Sequence, residues 1–196
     1  DWLVRSADPR GVVLGYDHRF GRGREGSAQL LREKGLSVRE VPPVVWGGKP
    51  VSSSRIREAL LRGNVAEAHH LLGYPYSIGG NVREGRKEAR LLGTPTANIS
   101  WPEGKVRPPA GIYTGWAHIT PRFPGPVREG LPALLYLPPQ GELEVHLLTE
   151  NRNLYGLSLR VGFLEYLRPH ATFESQASLE KQIQEDVAAA RRYFGL

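Results

Sequence analysis

The segment Gly111-Ile112-Tyr113-Thr114-Gly115-Trp116-Ala117-His118-Ile119 combines β-branched and aromatic residues over the length of a β-strand. Segments of similar composition follow at 131–137, 142–148 and 159–167, and proline and glycine residues separate them. Several short strands at such spacing predict a small antiparallel barrel or sandwich.

A long helix is predicted at the C-terminus, after these strands. Apolar residues recur three or four positions apart behind Ser178, and they are Leu179, Ile183, Val187, Ala190 and Phe194. This spacing forms one apolar stripe along a helix. We therefore expect the helix to pack against the barrel.

The first third of the chain has an α/β pattern. The apolar run 11–16 predicts a buried strand, and the glycine-rich segment 15–26 follows it. A helical stretch then stops at Gly35, and residues 36–45 resemble a second strand that two prolines interrupt. The order strand, loop, helix, strand is of a nucleotide-binding type.

Two short helices are predicted next. Serines at 52–54 can cap a helix that Gly63 ends, and Asn64 with Glu67 resembles a capping box for another. A linker follows near 73–75. We expect two domains, residues 1–72 and residues 73–196.

Composition excludes several classes of protein. The 196 residues include 40% hydrophobic and 23% charged residues, which is typical of a globular protein. The absence of cysteine excludes disulfides and thiolate metal sites. No apolar run approaches the ~18 residues of a membrane helix, and the N-terminus lacks a signal-peptide pattern, so a cytoplasmic location is expected. The absence of methionine indicates a piece of a longer protein.

The formal net charge of +6 is compatible with nucleic acid or with phosphate-bearing small molecules as partners. Because aromatic residues make up only 9% and no basic–aromatic motif recurs, we expect no nucleic-acid partner. We also expect no membrane partner and no obligate protein partner.

Two segments carry side chains suited to chemistry. In Pro95-Thr96-Ala97-Asn98, a hydroxyl and an amide oxygen could bind a hard cation or a phosphate, although the residue types alone favour a charged hairpin followed by a strand with an Asx turn. In the segment 143–148, strand alternation separates Glu144 and His146 from the apolar Leu143, Val145 and Leu147. Glu144 is either a surface carboxylate or a positioned base.

Taken in order, a set of motifs resembles the riboflavin kinase domain: 76–80, 95–98, 111–113, 144–148, 154–156 and 173–186. Upstream, 15–26 and 51–57 are similar to the later part of the adenylyltransferase domain in the bacterial bifunctional riboflavin kinase/FMN adenylyltransferase (FAD synthetase) family. The resemblance covers nearly the whole chain. It implies an α/β nucleotidyltransferase-like part followed by a riboflavin kinase-like antiparallel β-barrel with a C-terminal helix.

The resemblance also implies an activity, the transfer of the γ-phosphate of ATP to riboflavin, which gives FMN and ADP. It assigns Thr96 and Asn98 to Mg²⁺ and the nucleotide phosphates, and Glu144 to the base facing the riboflavin hydroxyl. A loop from Gly85 to Arg90 would close over the nucleotide.

In the upstream domain, the resemblance implies transfer of AMP from ATP to FMN, with phosphate held at a helix start by Ser52, Ser53, Ser54 and Arg55. The HxGH motif of nucleotidyltransferases is missing from the chain. We therefore expect residues 1–72 to be inactive as an adenylyltransferase.

Three positions depart from the kinase pattern. Ala89 replaces a loop glycine, the Gly-x-x-Pro-Thr element is not evident in 131–139, and His170 stands where an Arg-x-Glu pattern has an acid. These departures leave open an alternative function, a flavin- or nucleotide-binding module without catalysis.

Overall fold

The computed structural model describes residues 6, 9–83, 96–119, 128–151 and 153–196. The chain forms two compact units, Asp1–Val51 and Ser52–Leu196. Among the described helices, none has the length and apolarity needed to cross a bilayer.

The first unit has the α/β order that the sequence predicts. Strand β1 (Gly11–Gly15) pairs in parallel with β2 (Ser37–Val41), and helix α1 (Ala28–Glu33) lies between them in the chain. A single 3₁₀ turn, Arg22–Arg24, lies in the glycine-rich loop. A parallel pair needs such a crossover connection.

The second strand of this unit is shorter than predicted. It ends at Val41, just before Pro42 and Pro43, because proline has no backbone N–H to donate to a strand ladder. A separate hairpin follows, formed by β3 (Val45–Trp46) and β4 (Lys49–Pro50). Its two turn residues are glycines with positive φ, 60° and 73°, which suits a tight hairpin turn.

The second unit begins with two capped helices. Ser52 caps α2 (Ser53–Leu61) by accepting a hydrogen bond from the Arg55 N–H at 3.3 Å. Asn64 caps α3 (Val65–Leu72): its Oδ1 accepts from the Glu67 N–H at 3.0 Å, and its Nδ2 donates to the Glu67 carboxylate at 3.1 Å. Both predicted N-caps are confirmed, but the Asn64 backbone N–H donates to the Ala59 carbonyl rather than to Glu67, so the reciprocal bond of a capping box is not formed. Helix α2 packs on α3, and α3 packs on the barrel described next.

Six antiparallel strands then close into a barrel, and they are β5 (Ser77–Arg83), β6 (Ala97–Ile99), β7 (Gly111–Ile119), β8 (Leu131–Leu137), β9 (Leu143–Leu147) and β10 (Ser158–Pro169). Their order around the barrel is β10-β5-β6-β9-β8-β7. The last strand closes the ring because it pairs with both β5 and β7. The strand pattern in the sequence predicts either a barrel or a sandwich, and the structure shows a closed barrel.

Alternate residues of each strand fill the barrel interior. Tyr113 and Phe163 are fully buried there, with ring centroids 5.3 Å apart at an angle of 87°. The hydroxyl of Tyr113 donates to the Pro109 carbonyl at 2.6 Å. A Cβ at Gly115 would overlap the Gly162 carbonyl and the Leu135 side chain, so this position of β7 requires glycine.

Helix α4 (Gln176–Phe194) packs on the outside of the barrel. A capping box between Ser175 and Ser178 starts it, one turn earlier than the predicted stripe begins. Its Ala190 is fully buried in an apolar cluster with Ile112 of β7 and Leu134 of β8, and further side chains pack on this cluster: Tyr136, Leu167, Val187 and Phe194. The predicted docking of the helix on the barrel is confirmed.

Candidate active site

Neighbouring strands place three polar side chains in a row on the outer face of the barrel. In the register of the sheet, Asn98 of β6 lies opposite Glu144 of β9, and Glu144 lies opposite Tyr136 of β8. Directly opposite residues on one face have Cβ atoms about 4.5–5.5 Å apart. The three side chains are therefore immediate neighbours.

Alternation along β9 explains why Glu144 faces outward. Leu143, Val145 and Leu147 are between 0% and 6% exposed and fill the interior, whereas Glu144 and His146 are half-buried on the opposite face. The predicted division of this strand is confirmed.

Three oxygen-bearing side chains are neighbours at this point. The Thr96 hydroxyl donates to Oε2 of Glu144 at 3.4 Å, and Asn98 is only 8% exposed beside them. We call Thr96, Asn98 and Glu144 the oxygen cluster. Because it combines a hydroxyl, an amide and a carboxylate, the cluster can accept a proton and bind a hard cation.

Tyr136 borders the oxygen cluster on its β8 side. Its hydroxyl lies 3.0 Å from Nδ1 of His170, and the two rings stack with centroids 5.9 Å apart. Burial raises the pKa of Tyr136, and the negative charge of Glu144 raises this pKa further, while Arg168 acts in the opposite direction. The phenol therefore remains protonated at neutral pH.

An ion pair between β10 and α4 lies beyond Tyr136. Ile112 of β7 is the register partner of both Tyr136 and Arg168, so the three residues follow one another around the outer face. Arg168 forms a salt bridge of 2.6 Å with Asp186 of α4, and Asp186 is only 5% exposed. Gln182 also donates to this carboxylate, at 3.1 Å.

The remaining site residues suggested by the sequence lie elsewhere. Ser52, Ser53, Ser54 and Arg55 form the start of helix α2, outside the barrel sheet, where an Arg55 guanidinium nitrogen is 4.0 Å from the Glu67 carboxylate. Gly85 and Arg90, with the loop between them, lie outside the described residues.

Neither Tyr136 nor the pairing of Arg168 with Asp186 was predicted from the sequence. The available signal for Tyr136 was its position between two leucines, Leu135 and Leu137. Both are buried in the barrel, and side chains alternate along a strand, so Tyr136 lies on the outer face. The alternation does not tell which strand lies beside β8. The proximity of Tyr136 to Glu144 could therefore be seen only from the register of the sheet.

Comparison with known proteins gives two family matches. The model described as riboflavin kinase matches residues 72–194, which include the whole barrel and the oxygen cluster. The model described as FAD synthetase matches residues 1–55.

Curated relatives cover nearly all of this chain. Bifunctional riboflavin kinase/FMN adenylyltransferases from Escherichia coli K12, Pseudomonas fluorescens and Bacillus subtilis are 34%, 37% and 31% identical over 100%, 96% and 99% of it. The chain spans 64%, 62% and 63% of those relatives, which is less than two thirds of their length.

A solved structure is also similar. The crystal structure titled macrolide-efflux protein from Streptococcus pneumoniae has a TM-score of 0.76 and 30% identity, and the match covers 90% of this chain and 58% of that one. Since the riboflavin kinase model alone matches more than half of the residues, the chain belongs to the riboflavin kinase family.

Proposed function

We propose that this chain transfers the γ-phosphate of ATP to the 5′-hydroxyl of riboflavin, which gives FMN and ADP. The observation that carries the proposal is the oxygen cluster: the Thr96 hydroxyl donates to the Glu144 carboxylate, and Asn98 lies opposite Glu144 on the adjacent strand, within the segment that matches riboflavin kinase. Phosphoryl transfer needs a base, a charge-stabilising site and in-line positioning, and this cluster offers the first two.

Glu144 is the base in this proposal. Its half-buried carboxylate takes the proton of the riboflavin hydroxyl as the hydroxyl oxygen attacks the γ-phosphorus of ATP. The bond between that phosphorus and the bridging oxygen breaks, and ADP leaves with the bond's electron pair. The Thr96 hydroxyl, 3.4 Å from Oε2, holds the carboxylate in position.

The oxygen cluster also fits Mg²⁺. Mg²⁺ favours oxygen ligands and commonly binds through one or two protein groups together with substrate phosphates. Thr96 and Asn98 would hold it, and bound Mg²⁺ neutralises charge on the phosphates. Among the described residues, no group of three His, Cys, Asp or Glu side chains could hold a metal ion. A site that relies on hydroxyl, amide and phosphate oxygens needs no such group.

We further propose a functional division at residue 72. Residues 73–196 would carry the kinase, and residues 1–72 would be the later part of an adenylyltransferase domain that converts FMN to FAD in the intact protein. The matches at 72–194 and 1–55 support this division. Ser52 to Arg55 would contact phosphate in that second reaction, and we propose that residues 1–72 do not catalyse it on their own.

The test is an assay of this chain with riboflavin, ATP and Mg²⁺, in which chromatography separates riboflavin, FMN and FAD. We expect FMN without FAD. Formation of FAD would show that residues 1–72 retain adenylyltransferase activity. Flavin binding without any product would instead favour the non-catalytic flavin- or nucleotide-binding module.

A further inference from the structure

We propose that Tyr136 and His170 form a positioning pair, in which His170 draws the Tyr136 hydroxyl away from Glu144, so that Tyr136 does not compete with the substrate hydroxyl for this carboxylate. The inference deepens the proposed function and rests on it.

The order of the strands shows on which side of β8 the Tyr136 hydroxyl lies. Around the barrel, β8 lies between β9, which carries Glu144, and β7, which is followed by β10. His170 comes directly after β10, and its backbone N–H donates to the Ala110 carbonyl, just before β7. The hydroxyl of Tyr136, 3.0 Å from Nδ1 of His170, is therefore held on the side of β8 opposite to Glu144.

Ring stacking on His170 supports the same orientation. Tyr136 packs against the apolar cluster that includes Ile112 of β7 and Ala190 of α4. Its ring stacks on that of His170 at an angle of 27° between the planes. The cluster also includes Leu148 just after β9, so the direction of the side chain comes from its contact with His170, which lies on the β7 and β10 side of β8.

Hydrogen-bond chemistry explains why this orientation matters. A tyrosine hydroxyl has one proton to donate, and a carboxylate is the strongest acceptor in its neighbourhood. In the tautomer with its proton on Nε2, His170 accepts a hydrogen bond at Nδ1 from the Tyr136 hydroxyl. If the hydroxyl instead donated to Glu144, it would occupy a carboxylate oxygen that the substrate hydroxyl needs.

The surrounding charges keep Tyr136 a donor. Glu144 and burial both raise the pKa of Tyr136, so its proton is retained through the neutral range. Arg168 opposes this rise, but its guanidinium is bound by the Asp186 carboxylate. This contact joins two of the departures from the kinase pattern. One is His170, and the other is the segment 131–139, which contains Tyr136.

The kinetic test compares wild type, His170→Phe and the double variant His170→Phe with Tyr136→Phe, using FMN formation at saturating ATP. His170→Phe keeps an aromatic ring but removes the acceptor, so we expect kcat to fall roughly five- to tenfold, the equivalent of one ordinary hydrogen bond. Adding Tyr136→Phe should raise kcat at least threefold above the single variant, because the competing hydroxyl is gone. The KM for riboflavin should change less than kcat.

A control variant tests whether the loss of kcat is specific to His170. His118→Phe, at an exposed position of β7, should leave kcat unchanged. An unchanged kcat in His170→Phe, or a double variant no faster than the single one, overturns the inference, since a structural role alone gives no recovery from a second substitution.

A structural measurement separates this inference from the proposed function. In a crystal structure of His170→Phe, we expect the Tyr136 hydroxyl within hydrogen-bond distance of Glu144. If wild type forms no FMN, the proposed function fails, and this distance still decides the pair's role. A hydroxyl that remains on the β10 side contradicts the inference whatever the assay shows.

Discussion

Arg168 of β10 binds both carboxylate oxygens of Asp186 in α4, with Nε donating to Oδ1 at 2.7 Å and Nη2 donating to Oδ2 at 2.6 Å. Paired hydrogen bonds of this kind fix direction as well as distance. The contact ties the C-terminal helix to the end of the strand that closes the barrel, beside Tyr136 and the oxygen cluster.

Removing this carboxylate should destabilise the protein. The Arg168 side chain is 23% exposed, and Asp186→Ala leaves it without its bidentate partner, so we expect the free energy of unfolding to fall by about 1–3 kcal/mol. Glu185→Ala on the same helix is the control, because its ion pair with Lys181 is exposed and 4.0 Å long. Urea unfolding measures both. Equal effects of the two substitutions would contradict the anchoring role.

Glu144→Gln should abolish most turnover. The amide cannot take the substrate proton, and loss of a general base typically lowers kcat by ~10²- to 10⁴-fold. The dissociation constant for riboflavin, measured by fluorescence quenching, should change little. Glu142→Gln is the matched control: its carboxylate accepts a hydrogen bond from Ser100 at 2.8 Å, outside the oxygen cluster. Near-normal turnover of Glu144→Gln would remove Glu144 from the mechanism.

Asn98→Ala should weaken the response to Mg²⁺. We expect the Mg²⁺ concentration for half-maximal rate to rise by roughly tenfold or more, as for loss of one hydrogen-bonding or ligand oxygen near charge. Asn81→Ala serves as control, since Asn81 of β5 accepts from the Ser158 hydroxyl at 2.7 Å. A Mg²⁺ titration of FMN formation makes the comparison. The same Mg²⁺ requirement in both variants would exclude Asn98 from the cation site.

Alkaline pH should destabilise the barrel through its buried phenols. Tyr76 donates to the Val106 carbonyl at 2.7 Å, and burial raises its pKa from 10.0 to about 12. The unfolded chain therefore loses this proton first, so its contribution is complete below pH 10 and is lost as pH rises from 10 to 12.

Urea unfolding between pH 8 and pH 12 checks this. Burial also raises the pKa of Tyr113, so Tyr76→Phe should reduce the alkaline loss of stability without removing it. If wild type and variant lose stability equally with pH, Tyr76 does not contribute to the effect.

The sequence predictions that were correct depend on residues close together in the chain. The alternation in Leu143-Glu144-Val145-His146-Leu147 reflects a strand with one buried face, and it gave the outward direction of Glu144. The caps at Ser52 and Asn64 were equally predictable, because a cap and the N–H it binds are only three residues apart.

Long-range contacts escaped prediction for a physical reason. Tyr136 and His170 are 34 residues apart, and their contact depends on the register of β8, β7 and β10 rather than on nearby sequence. The pairing of Asn98 with Glu144 likewise results from β6 lying beside β9, an order that the periodicity of either strand does not specify. Only the resemblance to a known family placed these two residues in one site.

Barrel closure by β10 has a consequence for synthesis on the ribosome. The chain emerges from its N-terminus, and the five strands made before β10 can form only an open sheet whose two edges are β5 and β7. Unpaired edges are prone to pair with other chains, and nonlocal closure is slow. Until residues 158–169 are available, the nascent protein exposes both edges, so prompt completion of translation protects it from aggregation.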